Sequence, residues 1–375
     1  MPRTLRLVVL GIVGVCALTL SSTAFAAFSS PRLFASQPAQ PNRVDLLYTQ
    51  STAEDPVAKV THFVPVAYRL NLAARPVGTQ TGTAILRTNL GDRNNQNLVL
   101  SGVVEVVAPT ATFTRNGQSQ SIAAHALACT GTATHSAYFV ARLRDAGGDI
   151  TYDLPIYVDR LSAATAFDAD ATITTCFQAP DVAASDANRA PLGLKVREFS
   201  LNLIRIFTSP QKGQIRWSTL ATPFTPRSGR ANSAGTVELQ SVLNYPRVVS
   251  LRPAVRVRMT RGFATFRFTG IVTTPALDRP TVSLFRGAQK VQASSRSAQA
   301  YKIKVGAGNF TKLHTIRRVT ARQSFYFQVR AFVPNQIQGR AGCAANFHPN
   351  VQCIQTTRAG YMIRSRTILV RVPAR

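Results

Sequence analysis

VRVRM (255–259) and FATFRFTGIV (263–272) are two short runs in which β-branched or aromatic residues alternate with arginine, threonine or glycine. A period of two marks a strand with one buried and one solvated face. Five further runs lie close by: VVSL (248–251), TVSLF (281–285), YKIKV (301–305), SFYFQVRAFV (324–333) and TILVRV (367–372). Seven strands in about 125 residues, starting near Arg247, predict a β-sandwich over residues 247–375.

Upstream the same grammar recurs. Strands are expected at Lys59–Tyr68, Leu98–Val107, Ser136–Arg144, Thr151–Val158, Ala171–Phe177, Lys195–Phe207, Gln214–Leu220 and Thr236–Leu243. Asp145-Ala-Gly-Gly-Asp149, between two of them, is a hairpin turn. No amphipathic helix of ten or more residues is legible, and Asp181–Asn188 predicts one short turn. With 375 residues the chain is too long for one ordinary sandwich. The expected fold class is therefore all-β, with two β-sandwich domains over 43–246 and 247–375.

The N-terminus carries an address. Arg3 and Arg6 precede an apolar run, Leu7–Leu20, and SSTAFA then places Ala24 and Ala26 at the small-residue positions of a cleavage site. Residues 1–26 thus read as a signal peptide cut before Ala27, the run being shorter than the roughly 20 residues a membrane span needs. A retained anchor is the alternative. Val15 before Cys16 speaks against lipidation. Residues 27–42, AFSSPRLFASQPAQPN, have no period and read as a flexible lead-in. The mature chain is expected to be secreted, in the cell envelope or outside the cell.

Without Cys16 four cysteines remain, Cys129, Cys176, Cys343 and Cys353, and an even number in an exported chain predicts disulfides. Four cysteines allow three pairings. Pairing Cys343 with Cys353 would close a short loop and leave Cys129 for Cys176. No C-x₂-C element supports a metal site.

Charge is the outlier of the composition. The chain has 44 Lys+Arg against 16 Asp+Glu, a net +28, though only 16% of residues are charged. From residue 247 onward there are 23 basic residues and one acid, Asp278; residues 1–246 hold 21 basic and 15 acidic residues. Alternation places Arg256 and Arg258 on a solvent face, with Arg267 and the pair Lys302 and Lys304 repeating the pattern. If those strands share a sheet, they form a cationic face that attracts polyanions by counterion release. Export turns the expected partner from intracellular nucleic acid to an anionic cell-surface polymer or glycan, with peripheral membrane contact as another. A solvated face that only guards strand edges is the plain alternative.

In SFYFQVRAFV, Phe325, Phe327, Val329 and Ala331 precede a loop and a last strand. On these residues the stretch 247–375 resembles bacterial immunoglobulin-like and fibronectin type III-like modules. Phe325 replaces their corner tyrosine, and Trp217, the chain's one tryptophan, lies in the first half. The broader immunoglobulin-like class is what the resemblance implies, and with it a spacer, adhesive or binding role.

Catalytic motifs are not legible. His62, His125, His135, His314 and His348 form no H-E-x-x-H, and no nucleophile elbow, P-loop or dinucleotide fingerprint occurs. Asp168, Asp170, Asp181 and Asp186 lie near one another in sequence but lack an EF-hand pattern. The expected function is a non-enzymatic, exported binding or adhesive protein without a cofactor. The alternatives are a secreted hydrolase with a cleft in the first β-domain, where Asp149, Asp153, Asp159, Asp168 and Asp170 would gather, and a purely structural envelope protein.

Overall fold

The computed structural model describes residues 31–374 apart from 37–41, 162–166, 209, 211–212, 246, 275–277, 296–297, 307, 319 and 339–351. It is an all-β protein built from several sheets. Thirteen strands hydrogen-bond into one long sheet, in the order Arg32–Ser36, Arg43–Thr49, Leu194–Ile204, Gln80–Leu90, Gln96–Val107, Ala137–Arg144, Thr151–Arg160, Ala169–Cys176, Val57–Pro65, Gly213–Pro223, Val237–Tyr245, Gln352–Arg358 and Gln336–Gln338. Every neighbouring pair is antiparallel except Val237–Tyr245 with Gln352–Arg358, which is parallel. The sheet curls until its first strand meets the far end: the Ala35 N–H donates to Ser241 Oγ at 2.9 Å, and Thr357 Oγ1 donates to the Leu33 carbonyl. Curling encloses one large apolar cluster around Tyr48, Tyr68, Phe199 and Trp217, all essentially without solvent contact.

Two five-stranded sheets make up most of the remainder. One joins Val248–Leu251, Phe263–Thr273, Asn309–Arg317 and Val305–Gly306, with Val255–Met259 on the second of these strands; the other joins Gln299–Ile303, Thr281–Gly287, Gln323–Val333 and Tyr361–Arg364, with Ile368–Val372 on the third. Their inner faces share a second apolar cluster, in which Phe268 of one sheet meets Phe327 of the other with ring centroids 4.6 Å apart. Gly270 lets the two neighbouring strands of its own sheet close in over it. A Cβ there would lie 2.1 Å from the Ser250 carbonyl oxygen and 2.5 Å from the Phe310 ring.

Three features differ from the sequence reading. Within the expected lead-in, Arg32–Ser36 is a strand with Leu33 and Ala35 fully buried; five residues between Pro31 and Gln37 are too few to show a period. Within the expected second module, Gln336–Gln338 and Gln352–Arg358 belong to the long sheet. The run expected from Lys195 to Phe207 breaks at Arg205, whose φ of 64° no strand accommodates, and Phe207–Thr208 pairs separately with Arg69–Leu70.

The Asp145–Asp149 turn joins its two strands as expected, the Asp145 carboxylate accepting from the Ile150 N–H at 3.0 Å. A nine-residue helix, Ile122–Thr130, was not legible as such. Ser121 caps its start by accepting from the Ala124 N–H, and Gly131 ends it at φ 84°. No helix among the described residues is long and apolar enough to cross a membrane. Cys129 and Cys176 form a disulfide that ties this helix to the strand Ala169–Cys176. The pairing of Cys343 with Cys353 lies outside the described residues, as do the signal peptide and Cys16.

Candidate functional site: a cationic sheet face

The sheet containing Phe263–Thr273 turns one face to the core and the other to water. Ala264, Phe266, Phe268 and Val272 are buried, whereas Phe263, Arg267, Ile271 and Thr273 are exposed. Register then assembles the outer face. Arg267 stands between Val255 and Leu313, Thr265 between Arg258 and Thr315, and Phe263 beside Arg317. Opposed residues in an antiparallel pair share a face, so Arg258, Arg267 and Arg317 all project from this surface. Phe263, Val255 and Leu313 remain 52%, 60% and 57% exposed among them. Thr265 and Thr315 link their hydroxyls at 3.0 Å across the strands. Among the described residues no carboxylate lies within ion-pairing distance of these three arginines.

Of the five cations expected to bind together, the structure gathers two. A bulge between Arg256 and Arg258 shifts the register of the edge strand, so Arg256 opposes Phe266 rather than an outward residue. Its guanidinium lies 3.7 Å from Met259 Sδ, on the reverse side from Arg258. Lys302 belongs to the other sheet, opposite Ser283, and Lys304 follows its strand; both are exposed there. The premise of one shared sheet fails for Lys302 because YKI (301–303) pairs with TVSLF, and Lys304 falls in neither sheet, between that strand and Val305–Gly306. Arg317, Phe263 and Leu313 replace them. NFTKLHTIR (309–317) supplies two of these; Phe310, His314 and Ile316 fall at even spacing, but Lys312 inward and Leu313 outward break the polar–apolar pattern that would have marked its outer face.

The one acid of the basic half is not on this face. Asp278 is buried; it accepts from Arg358 Nη1 at 2.9 Å and from the Tyr361 hydroxyl at 2.6 Å. Arg358 ends the strand that joins the long sheet, so this pair fastens the two sets of sheets at their seam. Arg247 stacks beside it, its guanidinium 3.8 Å from the Tyr361 ring centroid and 5.0 Å from that of Tyr245. Burial lowers the Arg247 proton affinity and raises that of both phenols, so the rings stay neutral partners of a cation.

Among the acids considered for catalysis, Asp153 accepts from Arg142 Nη1 at 2.5 Å and from the Thr114 N–H. Asp181 and Asp186 accept backbone N–H groups of Arg227 and Asn188. Thr130, His135 and Asp159 form a chain, with Asp159 Oδ2 2.8 Å from Nδ1 and Thr130 Oγ1 3.1 Å from Nε2 of the imidazole. It resembles a nucleophile–base–acid line, but the threonine hydroxyl lies 2.9 Å from the Ala126 carbonyl and 3.0 Å from the Thr132 carbonyl, and the His135 side chain has no solvent contact. The chain pins the helix end to the strand Thr151–Arg160. Among the described residues no three His, Cys, Asp or Glu side chains gather as metal ligands.

Compared with known proteins, the chain matches no family model, no curated protein and no solved structure.

Proposed function

We propose that this is an exported, non-enzymatic β-protein of the cell envelope or extracellular space, whose basic half is an immunoglobulin-like sandwich that holds an anionic surface polymer. The observation that carries the reading is the outer sheet face: Arg258, Arg267 and Arg317, uncompensated by any described carboxylate, set among threonine hydroxyls and the exposed Phe263. A glycan polymer offers what such a face recognises. Its carboxylates, sulfates or phosphates meet guanidinium forks, its hydroxyls meet threonines, and the apolar face of a sugar ring stacks on phenylalanine. The excess of basic residues over the whole half supplies long-range attraction, so binding should weaken steeply with salt.

The test is retention of the mature protein on isolated cell envelopes and on dextran sulfate. Charge reversal at Arg258, Arg267 and Arg317 is expected to abolish retention, while Lys302→Glu on the opposite sheet changes it little. Equal loss from both variants would mean diffuse charge without a site. Retention on anionic phospholipid vesicles but not on the polymer would replace a glycan by a membrane surface.

One observation favours a hydrolase as a second reading. Asp168 and Glu238 line the same hollow of about 330 Å³ together with Arg216 and Gln240. A polysaccharide substrate cleaved by the native chain but not by Glu238→Gln would establish it.

A further inference from the structure

On the other half of the molecule a cleft of about 350 Å³ opens beside the Cys129–Cys176 disulfide. Its lining divides by chemistry. Phe177, Ala179, Val182 and Phe224 are apolar, the last three packed together as a small cluster with Ala58. Lys59 and Arg115 are its cations. The one acid on its rim, Asp186, is exposed and accepts from the Asn188 N–H at 2.8 Å.

Arg115 is placed unusually for a guanidinium. It is partly buried, its Nη2 lies 3.1 Å from His125 Nε2, and its carbon lies 5.9 Å from the Phe113 ring centroid. His125 cannot serve as a counter-ion. Its Nε2 accepts from Arg115, so Nδ1 carries the proton donated to the Tyr157 hydroxyl at 2.6 Å, and Tyr157 donates to the Ile122 carbonyl. Burial, with the Arg115 charge beside it, holds this imidazole neutral down to about pH 3. Among the described residues no carboxylate lies within ion-pairing distance of Arg115 or Lys59. A desolvated cation without a counter-charge costs free energy that a bound anion returns.

We propose that this cleft binds a small amphiphilic carboxylate, an aliphatic or aromatic acid whose head group meets Arg115 and Lys59 and whose body lies against Phe177 and Phe224. The two requirements restrict the ligand from both sides. Inorganic phosphate leaves the apolar lining wet, and a neutral hydrocarbon leaves Arg115 unpaired. The volume is on the order of ten water molecules, enough for an acid of six to eight carbons. The site is separate from the arginine face, and its occupancy does not depend on polymer binding.

The experiment is calorimetric titration of the full mature chain with hexanoate, benzoate and uncharged hexanamide, in parallel with the ring carbon–proton signal of His125. One saturable site for the acids is expected, with a shift of the His125 signal and no binding of hexanamide. Lys59→Met should weaken binding by about tenfold, the loss of one charge-assisted contact. Arg115→Gln should abolish it. Because that change also strips His125 of its donor and can unfold the region, Ala128→Trp provides a second route: Ala128 is exposed on the helix and lines the cleft, so the indole blocks it without entering the core. Lys302→Met, on a distant sheet, should leave the titration unchanged. Hexanamide binding as tightly as hexanoate would overturn the proposal. So would the absence of binding, or multiple weak sites indifferent to Lys59→Met and Ala128→Trp.

Discussion

The two halves of this molecule use acids differently. In the first, carboxylates are spread through the sheet and meet cations locally: Arg43 with Asp45, Arg87 with Glu198, Arg142 with Asp153, Arg189 with Asp92. In the second, the one acid is buried at the seam and bound to Arg358. Every other cation of that half is left without a described carboxylate partner. Local pairing in the first half neutralises a surface, and its absence in the second leaves a field directed outward. What both halves share is a core of interdigitated aromatic and branched side chains, so charge is free to differ while the packing rule does not.

The cores give the largest effects with which to probe this comparison. Trp217→Ala and Phe268→Ala, one in each apolar cluster, should each cost about 3–5 kcal/mol. Because the strand Gln352–Arg358 and the Asp278 pair bridge the clusters, both variants should lower one common transition in calorimetry. Two separated transitions would show that the halves melt independently. Asp278→Ala attacks the bridge itself. It leaves Arg358 buried and unpaired, and about 3–5 kcal/mol should be lost in chemical denaturation; a loss below about 1 kcal/mol would mean the pair is not part of the stabilising seam.

Reduction of the Cys129–Cys176 disulfide, which spans 47 residues, should cost about 2–4 kcal/mol. The first half alone should respond, with faster hydrogen exchange in the helix and its neighbouring strands. An effect of similar size, spread over several pH units, comes from a buried histidine. His62 is fully buried, and burial lowers its pKa from 6.5 to about 3. Below pH 6.5 the unfolded chain takes up a proton that the folded chain refuses. Stability should therefore fall as pH drops from about 6.5 toward 3, by about 1.4 kcal/mol per pH unit from this residue. Removing the titrating group in His62→Leu should flatten the slope by that amount, whatever its effect at neutral pH. The smallest stability change is expected where the binding change is largest. Reversing Arg258, Arg267 and Arg317 should shift stability by less than about 0.5 kcal/mol per residue, because all three are exposed and none pairs with a carboxylate among the described residues.

Much of the β character was legible because alternation is local. VVSL (248–251) and VRVRM (255–259) are strands with the expected ends, and FATFRFTGIV and SFYFQVRAFV extend by only one residue each. What alternation does not contain is partnership. Lys302 and Arg267 have equivalent patterns, yet pairing opposite Ser283 and Leu313 puts them in different sheets. The bulge that separates Arg256 from Arg258 is equally silent, since one extra residue in a strand leaves the local pattern intact and only the neighbour's register reveals it. The helix Ile122–Thr130 was hidden for another reason. IAAHALACT is nearly all small and apolar, so no polar face marks a period, and only the flanking Ser121 and Gly131 signal its ends. Arg115 and Lys59 meet through folding alone, 56 positions apart in the chain.

The parallel strand Gln352–Arg358 has a consequence in time. The edge of Val237–Tyr245 that it covers is made on the order of a hundred residues earlier. At roughly 5–20 residues per second, that edge waits on the order of ten seconds for its partner. During that interval a nascent chain presents an open row of backbone donors and acceptors, the kind of template on which neighbouring chains pair. A chain permuted to begin at 352 would make this strand before the edge it covers, and the wait would vanish.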